Sequence, residues 1–180
     1  MEKIFIAGSR KLARLSKEVK KRIDKIIAKG FTVVVGDANG ADKAVQQYLA
    51  NKHYENVIVH CMAGMCRNNL GNWTIREINA APGATGFHYY SAKDRFMAEE
   101  ADYGLMLWDG KSRGTFANIE DLVRQEKPVV IYLAPEKSFI TLRKPDEATL
   151  LLKSLHPAWN HRAIGRQHAR TFHPRPDVLF

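Results

Sequence analysis

Three short segments of this chain hold the residue types that grip a phosphate. They are Gly8-Ser9-Arg10, the stretch from Gly36 and Asp37 to Gly40 and Asp42, and the run Asp109-Gly110-Lys111-Ser112-Arg113-Gly114-Thr115. A glycine lets the backbone approach a ligand, a serine or threonine offers a hydroxyl, and an arginine offers a two-pronged fork for an oxyanion. If such a segment leads into a helix, the free N–H groups and the helix dipole favour negative charge at the same place. Asp37 and Asp42 admit two readings. They cap a helix and charge its first turn, or they hydrogen-bond ribose hydroxyls or an amine-bearing base.

The flanking residues supply the elements those segments need. Tyr103 to Trp108 is an apolar run that stops at Asp109-Gly110, as a buried strand meeting a turn does. Phe116, Ile119, Leu122 and Val123 then recur at helical spacing, and Val129 to Leu133 is a second strand. Strand, helix and strand make a βαβ unit, which sets the Asp109–Thr115 loop at the carboxyl edge of a parallel sheet. Ile4 to Ala7 runs as a strand straight into Gly8-Ser9-Arg10, and Phe31 to Val35 runs into Gly36. Between them Ser16 caps a helix through Lys29, and a second helix follows Asp42 to about Asn51. Asn56 to Met62 is a third strand in chain order. The expectation is an α/β, Rossmann-like, doubly wound fold with a mainly five-stranded parallel sheet in the order 3-2-1-4-5. The switch point lies between the first and fourth strands, so all three loops converge on one crevice.

Residues 63–91 read as a long irregular segment, of the kind that is functional or mobile. Its Trp73, Phe87, Tyr89 and Tyr90 cover a base or pack the insertion, with packing preferred. Ala92 to Glu100 is a helix. Phe139 to Leu142 reads as a short edge strand and Asp146 to Leu155 as a helix, followed by a loosely attached tail with four of the seven histidines. The division expected is residues 3–142 as the nucleotide-binding domain and 143–180 as a C-terminal helix and basic tail.

The bulk numbers exclude several classes. At 180 residues and 45% hydrophobic content, the chain fits one domain with a sizeable core. No apolar run approaches the ~20 residues that span a bilayer, and the first strand leaves no room for a signal peptide. Cys61 and Cys66 cannot make a disulfide framework, which points to a reducing cytoplasm. With His60 they suggest metal ligands, but no second pair follows at ligand spacing. The expectation is therefore a core strand and a loop thiol, with no metal and no cofactor. The formal net charge is +9, and residues 1–30 hold ten Lys and Arg against three Asp and Glu. Such a surface attracts nucleic acid or a phosphorylated small molecule. No recognition motif accompanies the charge, so the small molecule is preferred.

Taken together, Gly8-Ser9-Arg10, the Gly36–Asp42 loop, Lys93-Asp94-Arg95-Phe96-Met97 and the run from Ala101 through Thr115 resemble the SLOG superfamily. This is the Rossmann-like group that contains the Lonely-guy phosphoribohydrolases and the DprA-type proteins, and the chain looks closest to its YspA-like branch. The match covers about residues 3 to 133. The resemblance implies a nucleotide-contacting role for Gly8, Ser9, Arg10, Gly36, Gly40, Asp42, Gly110, Ser112, Gly114 and Thr115, with Arg95 a further candidate. The hydrolase branch carries a glutamate where this chain has Asn118, and an amide is neither a base nor a nucleophile. Glu120 should point away, two residues further round the helix. The reading is therefore a binder of a nucleoside phosphate, ADP-ribose or NAD-like ligand, acting as a sensor. One alternative is an N-glycosidase with Asp37, Asp42 or Asp109 as a relocated carboxylate. The other is a DNA-associated, DprA-like protein. Dimerisation is common in the superfamily, so a homo-oligomer is compatible with every reading.

Overall fold

A computed structural model describes residues 1–83 and 85–155. The basic tail from residue 156 onward and the side chains of Phe87 and His88 lie outside the described residues. The chain runs β1 (Lys3–Gly8), α1 (Lys17–Ala28), β2 (Thr32–Gly36), α2 (Ala41–Asn51), β3 (Val57–Met62), β4 (Thr74–Ile78) and α3 (Gly86–Glu100). It continues with β5 (Tyr103–Trp108), α4 (Arg113–Arg124), β6 (Val129–Leu133), β7 (Ser138–Leu142) and α5 (Pro145–Leu155).

One sheet carries all the strands in the order β4-β3-β2-β1-β5-β6-β7. Its central five are the strands expected from the sequence, in the expected order and parallel throughout. The count is seven rather than five. β7 adds antiparallel to β6, and β4 adds parallel to β3 from within the segment read as irregular. β4 eluded the sequence reading because it is an edge strand with only Ile78 of its five residues buried, so no continuous apolar run betrays it.

The chain leaves β1 toward β2 and β3 on one side and returns to β5 and β6 on the other, with helices on opposite faces. Val19, Ile23 and Ile26 of α1 and Val45 and Leu49 of α2 pack on one face with Ile4, Ile6, Val33 and Val35. Met97 of α3, Ile119 and Leu122 of α4, and Ala148 and Leu151 of α5 pack on the other with Phe5, Val34 and Met106. Alternation along each strand feeds both cores, which is why the central strands are almost continuously apolar. Ser16 caps α1 by accepting from the Val19 N–H. Among the described residues no helix is long and apolar enough to cross a membrane.

Cys61 and Cys66 correct a second expectation. Rather than a core residue and a separate loop thiol, they are joined by a disulfide across the turn that follows β3. Met65 pairs back onto Met62 in that turn, which brings the two sulfurs together.

Candidate functional site

At the switch point, β1 and β5 are neighbours, and the loops leaving them are bonded to each other. The Ser9 hydroxyl donates to the Asp109 carboxylate at 2.9 Å, and the Asp109 N–H donates back to Ser9 Oγ at 3.1 Å. The same carboxylate accepts the N–H groups of Lys111 and Ser112, which winds the loop into α4. Ser112 then caps α4, accepting from the Thr115 N–H and hydroxyl. Burial would raise the Asp109 carboxyl, but the N–H groups of Ser112 and Lys111 and the Ser9 hydroxyl outweigh it and hold it below the ordinary range. Asp109 is thus a charged structural anchor.

Behind this pair of loops lies a cavity of about 320 Å³. Gly8, Ser9, Arg10, Asp42, Asp109, Ser112, Gly114, Thr115 and Asn118 line it, so the β1, β2 and β5 loops do meet. Exposed Arg10, Lys11 and Lys111 lie at its mouth, while Asp42 and Asn118 are buried in it. The N-terminus of α4 opens onto it, and α2 begins beside it at Gly40 without a side-chain cap.

Five residues singled out in the sequence lie elsewhere. Gly36 and Gly40 shape the wall from behind. A Cβ on Gly36 would meet the carboxylate of Asp42 and the amine of Lys93, and one on Gly40 would overlap the backbone of Arg10. Gly110 is a turn residue at φ 75°. Arg95 is exposed in a groove with Glu120, Asp121 and Arg124 that adjoins the cavity through Asp94, Gly114 and Asn118, and does not line the cavity itself. Glu120 points away from it, as its spacing predicts.

Asp37 is the fifth. It is 1% exposed and already fully engaged. Its carboxylate accepts from Lys93 Nζ at 2.6 Å and from the Arg67 N–H, Nε and guanidinium at 3.0, 3.1 and 2.7 Å. Burial pushes the Asp37 carboxyl upward, but Arg67 and Lys93 together drag it far below the usual range. A carboxylate so committed is not free to act as a base. Asp37, Cys61 and Cys66 also place potential metal-ligand atoms within 4.8 Å of one another. With the sulfurs joined and the carboxylate paired to two cations, that group has no open donor.

Arg67, Tyr90, Lys93 and Asp94 complete the wall; of these, the sequence considers only Tyr90, as a ring that covers a base or packs the insertion, and the other three are not among its candidate site residues. Lys93, 2% exposed, and Asp94 lie on the stripe of α3 that faces the sheet, three and four residues from Tyr90 and Met97. A lysine in an apolar stripe was the available signal. Arg67 rests 5.2 Å from the centre of the Tyr90 ring. Trp73, in contrast, packs in the core, its indole N–H donating to the Tyr54 carbonyl.

Asp42 has the unusual chemistry. Burial first, then the charges of Asp94 and Asp37, raise its carboxyl to about 7, against the opposing pull of Lys93 and the Ala38 N–H. Burial raises Asp94 as well, opposed by Lys93 and a hydrogen bond with Asn118. A carboxyl raised on folding favours the folded state most below its unfolded value near 4, and loses that contribution as the pH climbs through 7. Asp42→Asn, which mimics the protonated form, should therefore stabilise the protein at pH 8 by more than about 1 kcal/mol and change little at pH 3, below the unfolded value. Thermal melts at the two pH values decide this, and equal shifts at both would contradict it.

Searched by sequence, the chain matches no protein-family model and no curated protein. By structure it is similar to DNA processing protein A from Helicobacter pylori, a single-stranded DNA-binding protein, with a TM-score of 0.54 and 17% identity. The match covers 72% of this chain and 64% of that one, so this chain spans less than two thirds of its neighbour's length. At that identity the likeness is one of fold. It agrees with a Rossmann-like α/β architecture built on a mostly parallel sheet.

Proposed function

We propose that the crevice binds the phosphate of a nucleotide, and that single-stranded DNA is the molecule that presents it. The observation that carries this reading is the mouth of the cavity. There Arg10, Lys11 and Lys111 are exposed beside the N-terminus of α4, and the opening lies on a chain of net charge +9. Exposed cations beside the positive end of a helix dipole suit a backbone phosphate, and neutralising several phosphates makes binding fall steeply with salt. The fold neighbour binds single-stranded DNA, which supports the same choice of partner. DNA therefore moves ahead of the small molecule preferred on sequence alone. We propose that the chain belongs to the SLOG superfamily, near its YspA-like branch, and acts in the cytoplasm.

A free nucleotide, ADP-ribose or NAD-like ligand is the second reading, with the protein acting as a sensor. It is favoured by the floor of the cavity, where buried Asp42 and Asn118 and half-buried Asp94 offer acceptors and an amide to a base or ribose. Among the three carboxylates considered for bond cleavage, Asp42 alone lines the cavity without being locked into a bonded loop or a double ion pair. An N-glycosidase reading rests on it.

A labelled single-stranded oligonucleotide, titrated at several salt concentrations, separates these readings. Binding should weaken steeply with salt. The Arg10→Ala, Lys11→Ala, Lys111→Ala triple variant should lose about tenfold in affinity, with the slope of log K against log salt reduced by about 2. No binding at low salt, alongside a raised melting temperature with a nucleoside monophosphate, would transfer the site to the second reading. Release of free base, lost in Asp42→Asn, would make it an enzyme.

A further inference from the structure

We infer that the Cys61–Cys66 bond is a thiol-exchange site whose state sets the position of Arg67 in the crevice wall. Its consequence for ligand binding rests on the crevice reading above; the coupling to Arg67 does not. Cys66 is exposed, whereas Cys61 is fully buried at the end of β3. Arg67 follows Cys66 directly and is held to Asp37 through both its backbone N–H and its guanidinium. Asp37 in turn holds Lys93. The disulfide is thus the covalent end of a chain of contacts that runs through Arg67 to Asp37 and Lys93, and both cations line the cavity.

The exchange has one accessible entry. A small-molecule thiolate attacks the sulfur of Cys66, the bond between Cys66 and Cys61 breaks, and Cys61 leaves with the electron pair. A second thiolate then attacks the mixed disulfide and releases Cys66, so two external thiols are oxidised to a disulfide while the protein gains two electrons and two protons. The leaving sulfur of Cys61 lies within 4.8 Å of an Asp37 carboxylate oxygen. A negative charge there competes with Asp37 for Arg67 and Lys93 until it is protonated. Reduction also removes the tether across the Met62–Cys66 turn, and the Arg67 N–H bond to Asp37 then depends on that turn alone.

The test needs no ligand. Alkylation of the native protein followed by mass measurement establishes the oxidised state, and both cysteines should resist labelling until a dithiol reductant is added. NMR of the Arg67 Nε–H and amide exchange across residues 62–68 are then compared in oxidised protein, reduced protein and the Cys61→Ser/Cys66→Ser variant. The Arg67 signal should move and exchange in this turn should speed by about fivefold or more in the last two, with Ile4 to Ile6 unchanged. Labelling of both cysteines without reductant, or an Arg67 signal indifferent to reduction, would overturn the inference. Oligonucleotide affinity is measured in both states as a separate arm, where reduction should weaken binding by about fivefold. If the oligonucleotide binds in neither state while Arg67 still responds, the crevice reading fails and the thiol coupling stands. Equal affinity in both states would confine the coupling to the wall and remove its functional part.

Discussion

Asp37→Ala should destabilise the protein by about 3–5 kcal/mol at neutral pH, although the residue touches no ligand cavity. The expected loss follows from what remains behind. Lys93, with its side chain 3% exposed, would lose a 2.6 Å partner, and Arg67 would lose the carboxylate that fixes it beside the cavity. Removing one member of a buried ion pair leaves the desolvation of the other uncompensated, which costs more than the pair contributed. Part of the loss should return through Asp42, because an unpaired Lys93 favours its ionised form and draws its carboxyl back down. The double variant Asp37→Ala/Lys93→Met should therefore be more stable than Asp37→Ala alone, and denaturant midpoints of the two single variants and the double measure the coupling. The pH dependence has a definite sign. A carboxyl held low in the folded state stabilises above its unfolded value near 4 and loses that contribution as the pH falls. The gap between the wild type and Asp37→Ala should narrow as the solution is acidified from pH 5 to pH 3. A gap under about 1 kcal/mol at pH 7 would mean that Lys93 finds water or Asp42 without penalty.

How much of this was legible in the residues can be read from where the expectations held. The central sheet was legible because each of its strands is buried on both faces, so apolar runs and the turns that end them mark the strands directly. β4 was not, because an edge strand can expose Arg76 and Glu77 and still pair through its backbone. The convergence of Gly8, Ser9, Asp42, Ser112 and Thr115 was legible, since topology alone places the loops after β1, β2 and β5 at one crevice. Arg95 was chosen from its motif, whereas Lys93 and Asp94 face the cavity because α3 turns about 100° per residue and presents that stripe to the sheet. The roles of Asp37 and Asp109 were hidden for a different reason. Their partners, Arg67 with Lys93 in one case and Ser9 in the other, lie far off in sequence and meet only once the sheet is formed. The Cys61–Cys66 bond depends on a turn register that five residues of spacing do not specify.

Gly40→Val should be as costly as the loss of Asp37, and for a reason confined to the backbone. Gly40 sits at φ 90° and ψ −127°, in a region that residues with a Cβ scarcely enter. Forcing a side chain there costs on the order of 1–3 kcal/mol before any contact is counted. The added Cβ would also overlap the carbonyl carbon and oxygen of Arg10, and neither can move without displacing the Gly8-Ser9-Arg10 loop. Overpacking of that kind adds roughly another 1–3 kcal/mol. The close approach has a purpose in the fold. It lets the Ala41 N–H reach the Ser9 carbonyl at 3.4 Å, which seats the start of α2 against the loop from β1. Gly40→Ala should already carry most of the penalty, because the Cβ itself makes both the strain and the overlap. Gly30→Ala provides the control. It shares a positive φ of 72°, but a Cβ there meets nothing within 4 Å, so its cost should be that of strain alone. Denaturant unfolding of the two alanine variants gives, as their difference, the Arg10 overlap together with the extra strain of the Gly40 backbone. If the two lose the same stability, the β1 loop yields to the intruding carbon, and the junction on which the crevice depends is softer than its packing implies.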